Sequence, residues 1–222
     1  MELAERAFFQ RLVASRYMTR QEACAAYAEL LCACKDPRGA ARSAGDAAGA
    51  TEGALEAVVN RLNAVLREYD LAVQSARDED GTPYVGLCNL AADDGLAQLA
   101  TQYTAHELAL FRKILFEGLL NEATPFYADG IVPLIDCINL CHDLHMSSPM
   151  APTEAEAAIK RLVRDGWLRL ARQAGSSHRR GEPTLSVGVG IRACLEIPEV
   201  RSWRMQRAQD VQTSPVGEGT DP

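Results

Sequence analysis

The stretch Leu71–Cys88, LAVQSARDEDGTPYVGLC, carries the strongest local signal for the fold. Two short runs of alternating apolar and polar residues flank an acidic turn that ends in Asp80-Gly81. Asp-Gly between two such runs is a strong β-hairpin signal, because glycine readily adopts the positive φ that a tight turn requires. The stretch therefore predicts two antiparallel strands, at residues 71–76 and 82–88.

Three helical patterns precede this hairpin. The first covers residues 2–15, and the second follows a capping-box pattern formed by Thr19 and Glu22. The third has apolar residues at helical spacing between Leu55 and Tyr69. Residues 36–54 lie between the second and the third pattern; they are mainly Ala and Gly and predict a flexible loop. Three helices followed by a hairpin is the element order of a winged helix.

The same element order then repeats in the second half of the chain. Helices are predicted for residues 103–120, for residues 131–144 and from Thr153 onward, where Glu156 completes a second capping-box pattern; strands are predicted at Trp167–Ala171 and Thr184–Val187. The predicted fold class is therefore mostly α with small β-hairpins, an α+β arrangement of tandem winged-helix domains. Their predicted bounds are residues 1–90 and 91–197.

The C-terminal end of the chain carries weaker signals. A short last helix is predicted at residues 190–196. Residues 198–222 show no usable periodicity and contain many residues that interrupt helices, so they predict a disordered tail.

Composition narrows the class of protein. The net charge is −7 and the calculated isoelectric point is about 5.2, so no global field attracts nucleic acid. No run of 18 apolar residues occurs, and the N-terminal residues lack the apolar core of a secretory signal. Seven scattered cysteines favour reduced thiols, as in the cytosol or the nucleus. We therefore expect no membrane partner.

One stretch resembles a known family. Residues 84–120 read YVGLCNLAADDGLAQLATQYTAHELALFRKILFEGLL and continue collinearly into PLIDCINL at 133–140 and AIKRLVRDGWLRL at 158–170. This order resembles the non-SMC element one subunits of the SMC five–six chromosome-maintenance complex. The resemblance extends over residues 84–197 and more weakly over residues 2–77.

The resemblance implies a nuclear, non-catalytic subunit that acts in DNA repair and recombination. It implies two partners, a MAGE-like element three subunit and the kleisin element four, which would complete a trimer. An apolar patch in the second half is the predicted docking surface, because apolar residues there exceed one helix face. The candidate residues are Phe116, Leu119, Leu120, Phe126, Tyr127, Ile131, Val132 and Leu134.

The family also carries a C-terminal RING-like zinc domain associated with ubiquitin ligation. Such a module needs about eight Cys and His ligands in closely spaced pairs. After His145, only His178 and Cys194 follow in this chain, so the sequence does not support ligase activity here. A truncation, an alternative ending and a true loss of the domain all remain open, and a role as a ubiquitin-ligase component remains an alternative.

A second possible zinc site is the cluster Cys137, Cys141, His142 and His145. Zinc prefers Cys and His ligands in a tetrahedral array, usually drawn from two separate segments. Four ligands within nine helical residues point in different directions and cannot converge on one ion. We therefore predict that these cysteines pack in a core or an interface, and that this chain holds no cofactor.

Basic residues offer a third hypothesis, a winged-helix DNA-binding regulator. In a winged helix that reads DNA, the third helix and the wing contact the duplex. The candidate DNA contacts are Lys160, Arg161 and Arg164 on the third helix and Arg172, His178, Arg179 and Arg180 at the wing. Because acidic residues lie close by, a solvated helix face is the alternative interpretation, and DNA binding is expected to be weak and sensitive to salt.

Overall fold

In the computed structural model, the chain divides into two compact units, Met1–Gln98 and Leu99–Pro222. The structure describes residues 2–35, 48–90, 102–121, 130–173 and 184–213. The elements of the first unit are α1 (Leu3–Ser15), β1 (Tyr17–Thr19), α2 (Arg20–Lys35), α3 (Ala48–Leu66), a 3₁₀ turn (Arg67–Tyr69), β2 (Leu71–Arg77) and β3 (Pro83–Asn89).

The second unit contains eight regular helices and strands among its described residues. They are α4 (Ala105–Lys113), which continues into a π-helical turn (Ile114–Leu119), β4 (Ile131–Pro133), α5 (Leu134–Asn139) with a 3₁₀ turn (Leu140–Asp143), α6 (Pro152–Arg164), β5 (Leu168–Gln173), β6 (Thr184–Val189), α7 (Ile191–Glu196) and α8 (Pro198–Thr213). The predicted fold class, mostly helical with small antiparallel sheets, is confirmed.

Both units use the same strand order. The first sheet runs β1-β3-β2 and the second runs β4-β6-β5, with every pair antiparallel. The hairpin predicted from the sequence is present, and Gly81 adopts a positive φ of 78° in its turn. Each sheet also has a first strand of only three residues, β1 or β4, that the sequence did not predict. Three residues are too few to show a period-two pattern of apolar and polar side chains.

The predicted second helix of the second unit needs a correction for the same reason. Residues 131–133 form β4, where Ile131 pairs with Gly188 of β6, and the helix begins only at Leu134.

Helix α6 also begins earlier than predicted, at Pro152. The backbone N–H of Ala151 donates to Glu154 at 2.9 Å, whereas Glu156 forms an ion pair with Lys160. The capping-box pattern at Thr19 and Glu22 is confirmed: Glu22 N–H donates to Thr19 Oγ1 at 3.1 Å, and Thr19 N–H donates to Glu22 Oε2 at 2.8 Å.

The predicted loop 36–54 is wrong over its last seven residues. Helix α3 begins at Ala48, and residues 36–47 lie outside the described part of the chain. Arg20 of α2 donates to Glu52 at 3.0 Å and pairs with Glu56 at 3.5 Å. Alanine has a high helix propensity, and these two ion pairs hold the first turns of α3 against α2.

The predicted disordered tail is also wrong where the structure describes it. Residues 198–213 form α8, and Pro198 occupies the first helical position, where its missing N–H costs nothing. Val200 is fully buried. Arg201 donates to the carbonyl oxygen of Leu195 at 2.6 Å, and Arg204 donates to Cys194 Sγ at 3.0 Å. The helix therefore docks largely through long polar side chains, which an apolar periodicity cannot reveal.

Each unit has its own apolar core. In the first unit, Phe8 and Leu12 of α1 are fully buried, and the Phe8 ring lies 5.4 Å from that of Tyr27. In the second unit, Trp167 is fully buried and its ring lies 6.0 Å from that of Phe111, in an edge-on arrangement. Among the described residues, no helix combines the length and the apolar character needed to cross a membrane.

A side chain of α3 protects the edge of the first sheet. Asn63 accepts a hydrogen bond from Val73 N–H at 2.7 Å, and its amide group donates to the Val73 carbonyl oxygen at 3.1 Å. Val73 belongs to the outer strand β2, so Asn63 replaces the neighbouring strand that an edge residue lacks. Both bonds join groups that are shielded from water, because Val73 is only 5% exposed.

We expect Asn63→Ala to destabilise the first unit by about 1–3 kcal/mol, because two hydrogen bonds to a buried backbone are lost. Asn63→Asp should not rescue the loss, since a carboxylate accepts from Val73 N–H but repels its carbonyl oxygen. Amide hydrogen exchange in β2 measures the effect. Asn60→Ala, at an exposed position on the same helix, is the matched control. Equal exchange in the Asn63 and Asn60 variants would contradict the edge-protecting role.

Candidate functional site

A concave surface lies in the second unit, between the π-helical turn and α8. It is an open groove of about 820 Å³. Its lining residues are Phe116, Leu120 and Asn121 on one side and Pro198, Glu199, Ser202, Trp203 and Gln206 on the other. The spacing of these residues places one face of α8 opposite a short apolar row. The apolar part of the groove thus consists of two aromatic side chains, Phe116 and Trp203, together with Leu120 and Pro198. Its rim is neutral and polar except for the carboxylate of Glu199.

The π-helical turn determines which apolar side chains face outward. Leu120 N–H donates to the Leu115 carbonyl oxygen at 2.8 Å, five residues back, so one extra residue is accommodated in the turn. Ile114, Leu115 and Leu119 are 0–1% exposed and fill the core. Phe116, in contrast, remains 38% exposed. Two apolar side chains, Phe116 and Leu120, are therefore available on the outer side.

Trp203 depends on a glycine for its position. Gly130 has a φ of 69°, and a Cβ atom there would lie 2.8 Å from Trp203 Cη2. The guanidinium carbon of Arg207 lies 5.1 Å from the centre of the Trp203 ring, on its face. This contact is a cation–π arrangement. The bare glycine and the arginine together fix the indole that forms the α8 side of the groove.

The predicted docking residues divide into four groups. Phe116 and Leu120 line the groove, and Ile131 and Leu134 are half-buried in β4 and at the start of α5. Leu119 and Val132 are each 1% exposed. Both belong to the core, so their assignment to an exposed patch is wrong. Phe126 and Tyr127 lie outside the described residues.

Arg161 has a structural environment that the DNA-contact hypothesis did not anticipate. Its Nη1 donates to Glu107 Oε1 at 3.1 Å, its Nη2 donates to the carbonyl oxygen of Gln102 at 2.5 Å, and its guanidinium lies 4.6 Å from the Tyr103 ring centre. These contacts tie α6 to the segment that enters α4. Arg161 is therefore a scaffold residue in this unit.

The other basic candidates are more exposed. Lys160 pairs with Glu156 at 2.7 Å, and Arg164 pairs with Asp165 at 3.1 Å, yet both side chains remain about 70% exposed. Surface ion pairs of this kind contribute little energy and open easily. Arg179, Arg180 and His178 lie outside the described residues, as does the side chain of Arg172.

Tyr103 and Asp165 form a buried contact that sequence patterns did not indicate. Tyr103 is 5% exposed and its hydroxyl donates to Asp165 Oδ2 at 2.6 Å. Burial, followed by this hydrogen bond, raises the pKa of Tyr103 well above its usual range. Burial alone would raise the pKa of Asp165, but the hydrogen bonds from Tyr103 and Arg164 outweigh it and lower that pKa. The pair joins the beginning of the second unit to the end of α6.

The Cys and His cluster is split between the interior and the surface. Cys137 and Cys141 are 0% and 2% exposed, whereas His142 and His145 are exposed. Burial raises the pKa of the Cys137 thiol to about 12 and also raises the pKa of the Cys141 thiol. Zinc binds the thiolate, so both shifts disfavour ligation. Within the described ranges, no group of three His, Cys, Asp or Glu side chains is placed to hold a metal ion.

We predict that the purified chain binds no stoichiometric zinc through this cluster, and that Cys141→Ala leaves its zinc content unchanged. Elemental analysis by mass spectrometry measures the zinc, and a thiol-reactive dye should label Cys137 and Cys141 far more slowly than the exposed Cys32 and Cys34. About one zinc per chain, lost in the Cys141→Ala variant, would overturn this prediction.

None of the seven cysteines is joined to another by a disulfide bond. Four of them, Cys88, Cys137, Cys141 and Cys194, are buried. A buried free cysteine packs as a small apolar residue.

Comparison with known proteins identifies the family. The family described as the Nse1 non-SMC component of the SMC5-6 complex matches residues 5–179. The chain belongs to this family, and the resemblance inferred from residues 84–197 is confirmed.

Curated relatives agree with this assignment. The non-structural maintenance of chromosomes element 1 homolog of Homo sapiens is 31% identical over 121 residues, which cover 54% of this chain and 42% of the relative. Non-structural maintenance of chromosomes element 1 of Schizosaccharomyces pombe is 28% identical over 116 residues, 52% of this chain and 47% of the relative. The matched region thus spans less than half the length of either relative.

A solved structure shares the fold. A chain of the Nse1-Nse3-Nse4 complex superimposes with a TM-score of 0.63 at 22% identity, covering 95% of this chain and 76% of that chain. The structural similarity therefore extends over more of the chain than the residues that the family matches.

Proposed function

We propose that this chain is a non-catalytic subunit of the SMC5-6 complex that docks a MAGE-like element three subunit through its second unit. Family membership supports the assembly. The observation that carries the docking surface is the groove in which Phe116, 38% exposed, faces Trp203 across the gap to α8. Exposed aromatic side chains beside a pocket are the usual anchors of a specific protein interface.

The wider role follows from the same family. We propose tandem winged-helix domains, since both units place three helical segments before a hairpin and return a short strand to its second strand. The related solved complex contains Nse1 together with Nse3 and Nse4, which supports a kleisin element four as the third member. A nuclear location and a role in DNA repair and recombination belong to this proposal, as does the absence of a cofactor in this chain.

Titration of the full chain with the purified MAGE-like subunit tests the proposal. We expect a one-to-one complex with micromolar or tighter affinity, as for an interface that buries roughly 800 Å² on each partner. Isothermal titration calorimetry measures the affinity and analytical ultracentrifugation the stoichiometry. Failure to bind at micromolar concentration would remove the docking function.

Direct DNA contact is the second candidate, and the exposed side chains of Lys160 and Arg164 favour it. We expect the double variant Lys160→Ala, Arg164→Ala to bind duplex DNA more weakly. The slope of the logarithm of its binding constant against the logarithm of the salt concentration should become shallower, by about the amount that two phosphate contacts contribute. Fluorescence anisotropy at several salt concentrations measures both quantities. Arg11→Ala, an exposed arginine of the first unit, is the matched control. An unchanged salt dependence in the double variant would exclude α6 from any DNA contact.

A further inference from the structure

The loop that precedes α6 contains a serine whose hydroxyl lies against a histidine. Ser148 Oγ lies 3.1 Å from His106 Nε2, and the Ser148 carbonyl oxygen lies 2.9 Å from the same nitrogen. His106 belongs to the first turn of α4, which follows the N-cap residue Thr104. The two contacts therefore place the Ser148 hydroxyl beside the beginning of a helix that comes from an earlier segment of the chain.

The residues around Ser148 are open to a modifying enzyme. Ser147, Ser148 and Pro149 are all exposed, and none of them belongs to a helix or a strand. Proline-directed protein kinases phosphorylate a serine or threonine that directly precedes a proline. A residue in that position favours an extended backbone, which is the form in which a substrate segment enters a kinase cleft. Ser148 thus combines the required neighbour with an exposed position outside the sheets.

A second dipeptide of this kind has a different environment. Ser-Pro or Thr-Pro occurs four times in the sequence, beginning at Thr82, Thr124, Ser148 and Ser214. Of these, Thr82 and Ser148 lie in the described part of the chain. The Thr82 carbonyl oxygen accepts from Asp78 N–H at 2.9 Å, and Pro83 begins β3. The hairpin therefore holds Thr82 in place beside an acidic turn, whose charges would repel a phosphate.

The surroundings of Ser148 favour a phosphate instead. A phosphoserine carries a charge of about −1.5 to −2 and three acceptor oxygens. Protonated His106 would donate to it, and the first turn of a helix favours an anion because its N–H groups lack partners within the helix. Glu107 is the carboxylate of this turn. It pairs with Arg161 at 3.1 Å and accepts from Thr104 N–H at 2.7 Å, so its charge is already compensated.

We propose that Ser148 is a phosphorylation site for a proline-directed serine/threonine protein kinase. Ser148 Oγ attacks the γ-phosphorus of ATP held by the kinase, and the bond from that phosphorus to the β,γ-bridging oxygen breaks as the new O–P bond forms. ADP leaves, and the hydroxyl proton passes to the catalytic base of the kinase. The phosphate then pairs with His106 and ties the loop before α6 to the first turn of α4. This inference goes beyond the proposed function and does not depend on it.

Phosphorylation of the folded full chain tests the site. The chain is incubated with ATP and a purified mitogen-activated or cyclin-dependent protein kinase, and the modified residues are mapped by tandem mass spectrometry. We expect phosphate on Ser148 in wild type and its loss in Pro149→Ala. Ser147→Ala is the matched control, since Ser147 is an exposed neighbour without a following proline, and this variant should be modified as wild type is. Thr82 should remain unmodified while the chain is folded.

Thermal unfolding tests the role of His106. One to three new charge-assisted hydrogen bonds should raise the melting temperature of the second unit by roughly 4 °C or more. Tryptophan fluorescence measures this shift, because both tryptophans lie in this unit. His106→Gln keeps a hydrogen-bond donor but cannot carry the positive charge. Most of the shift should therefore disappear in His106→Gln phosphorylated at Ser148.

Four results would overturn the proposal. Phosphate confined to residues other than Ser148 would remove the site, as would equal modification of wild type and Pro149→Ala. Equal rates at Ser148 and Thr82 would show that the kinase modifies an unfolded chain. An equal gain in melting temperature for phosphorylated wild type and phosphorylated His106→Gln would exclude His106 as the partner of the phosphate.

Discussion

Leu119→Asp is expected to unfold the second unit. Leu119 is 1% exposed in the core beneath the groove. The substitution removes a buried leucine, which alone costs about 2–5 kcal/mol, and leaves a carboxylate without a partner in an apolar site, which costs several more. The sum approaches the whole stability of a domain of this size. Both tryptophans of the chain, Trp167 and Trp203, lie in this unit, so tryptophan fluorescence reports its unfolding.

Phe116→Asp should have the opposite pattern. Phe116 is only three residues away but is 38% exposed and lines the groove, so a carboxylate there remains hydrated. We expect a folded variant whose affinity for the MAGE-like subunit falls by about 30-fold or more, the loss typical of an interface anchor. Calorimetric titration measures the affinity.

Ile135→Asp is the control for the added charge, because Ile135 is 59% exposed and lies outside the groove. It should bind the partner as wild type does. A folded Phe116→Asp variant with unchanged affinity would remove the groove from the interface. A folded Leu119→Asp variant would contradict the assignment of Leu119 to the core.

Gly190→Ala is the second substitution with a large expected effect. Gly190 follows β6, and its N–H donates to the Trp167 carbonyl oxygen at 2.9 Å. An added Cβ atom would lie 2.7 Å from the Trp167 carbonyl carbon and closer still to the Gly166 carbonyl oxygen. Backbone atoms cannot swing aside as a flexible side chain can. We expect a destabilisation of about 3 kcal/mol or more, at the upper end of overpacking effects.

Thermal unfolding followed by tryptophan fluorescence should therefore shift downward by more than about 10 °C in Gly190→Ala. Gly53→Ala is the matched control. Gly53 lies inside α3, and a Cβ atom there meets nothing within 4 Å. Alanine is favoured over glycine in a helix by about 0.5–1 kcal/mol, so this variant should slightly stabilise the first unit, as measured by circular dichroism, and should not lower the transition followed by tryptophan fluorescence. An unchanged melting temperature in Gly190→Ala would show that the backbone around Trp167 yields easily.

The hairpin at residues 71–88 could be predicted because its information is local. Alternation along each strand and an Asp-Gly turn depend only on neighbouring residues. The same holds for α6, whose buried Ala155, Ile159 and Leu162 follow the helical period. Strands β1 and β4 have no such local signal. Each is specified by the strand opposite, which lies more than 50 residues further along the chain.

Candidate site residues were harder to assign than elements, because exposure depends on the packing of the whole unit. Phe116 and Leu119 belong to the same stretch, ILFEGLL, and only the packing of the π-helical turn leaves Phe116 exposed and buries Leu119. From the sequence, Arg161 has the same predicted role as Lys160 and Arg164, that of an exposed cation on the third helix. Its contacts with Glu107 and Gln102 come from a segment more than 50 residues earlier.

The sequence by itself determined the α+β class, the repeated order of helices and hairpins, and the family, because these depend on local periodicity or on collinear similarity. The tertiary structure decided which apolar side chains remain exposed, that residues 198–213 form a helix, and that the groove exists at all. Helix α8 is held by bonds from Arg201 and Arg204 to α7 and by the fit of Trp203 against Gly130. Such contacts arise only when distant segments meet, so no window of sequence contains them.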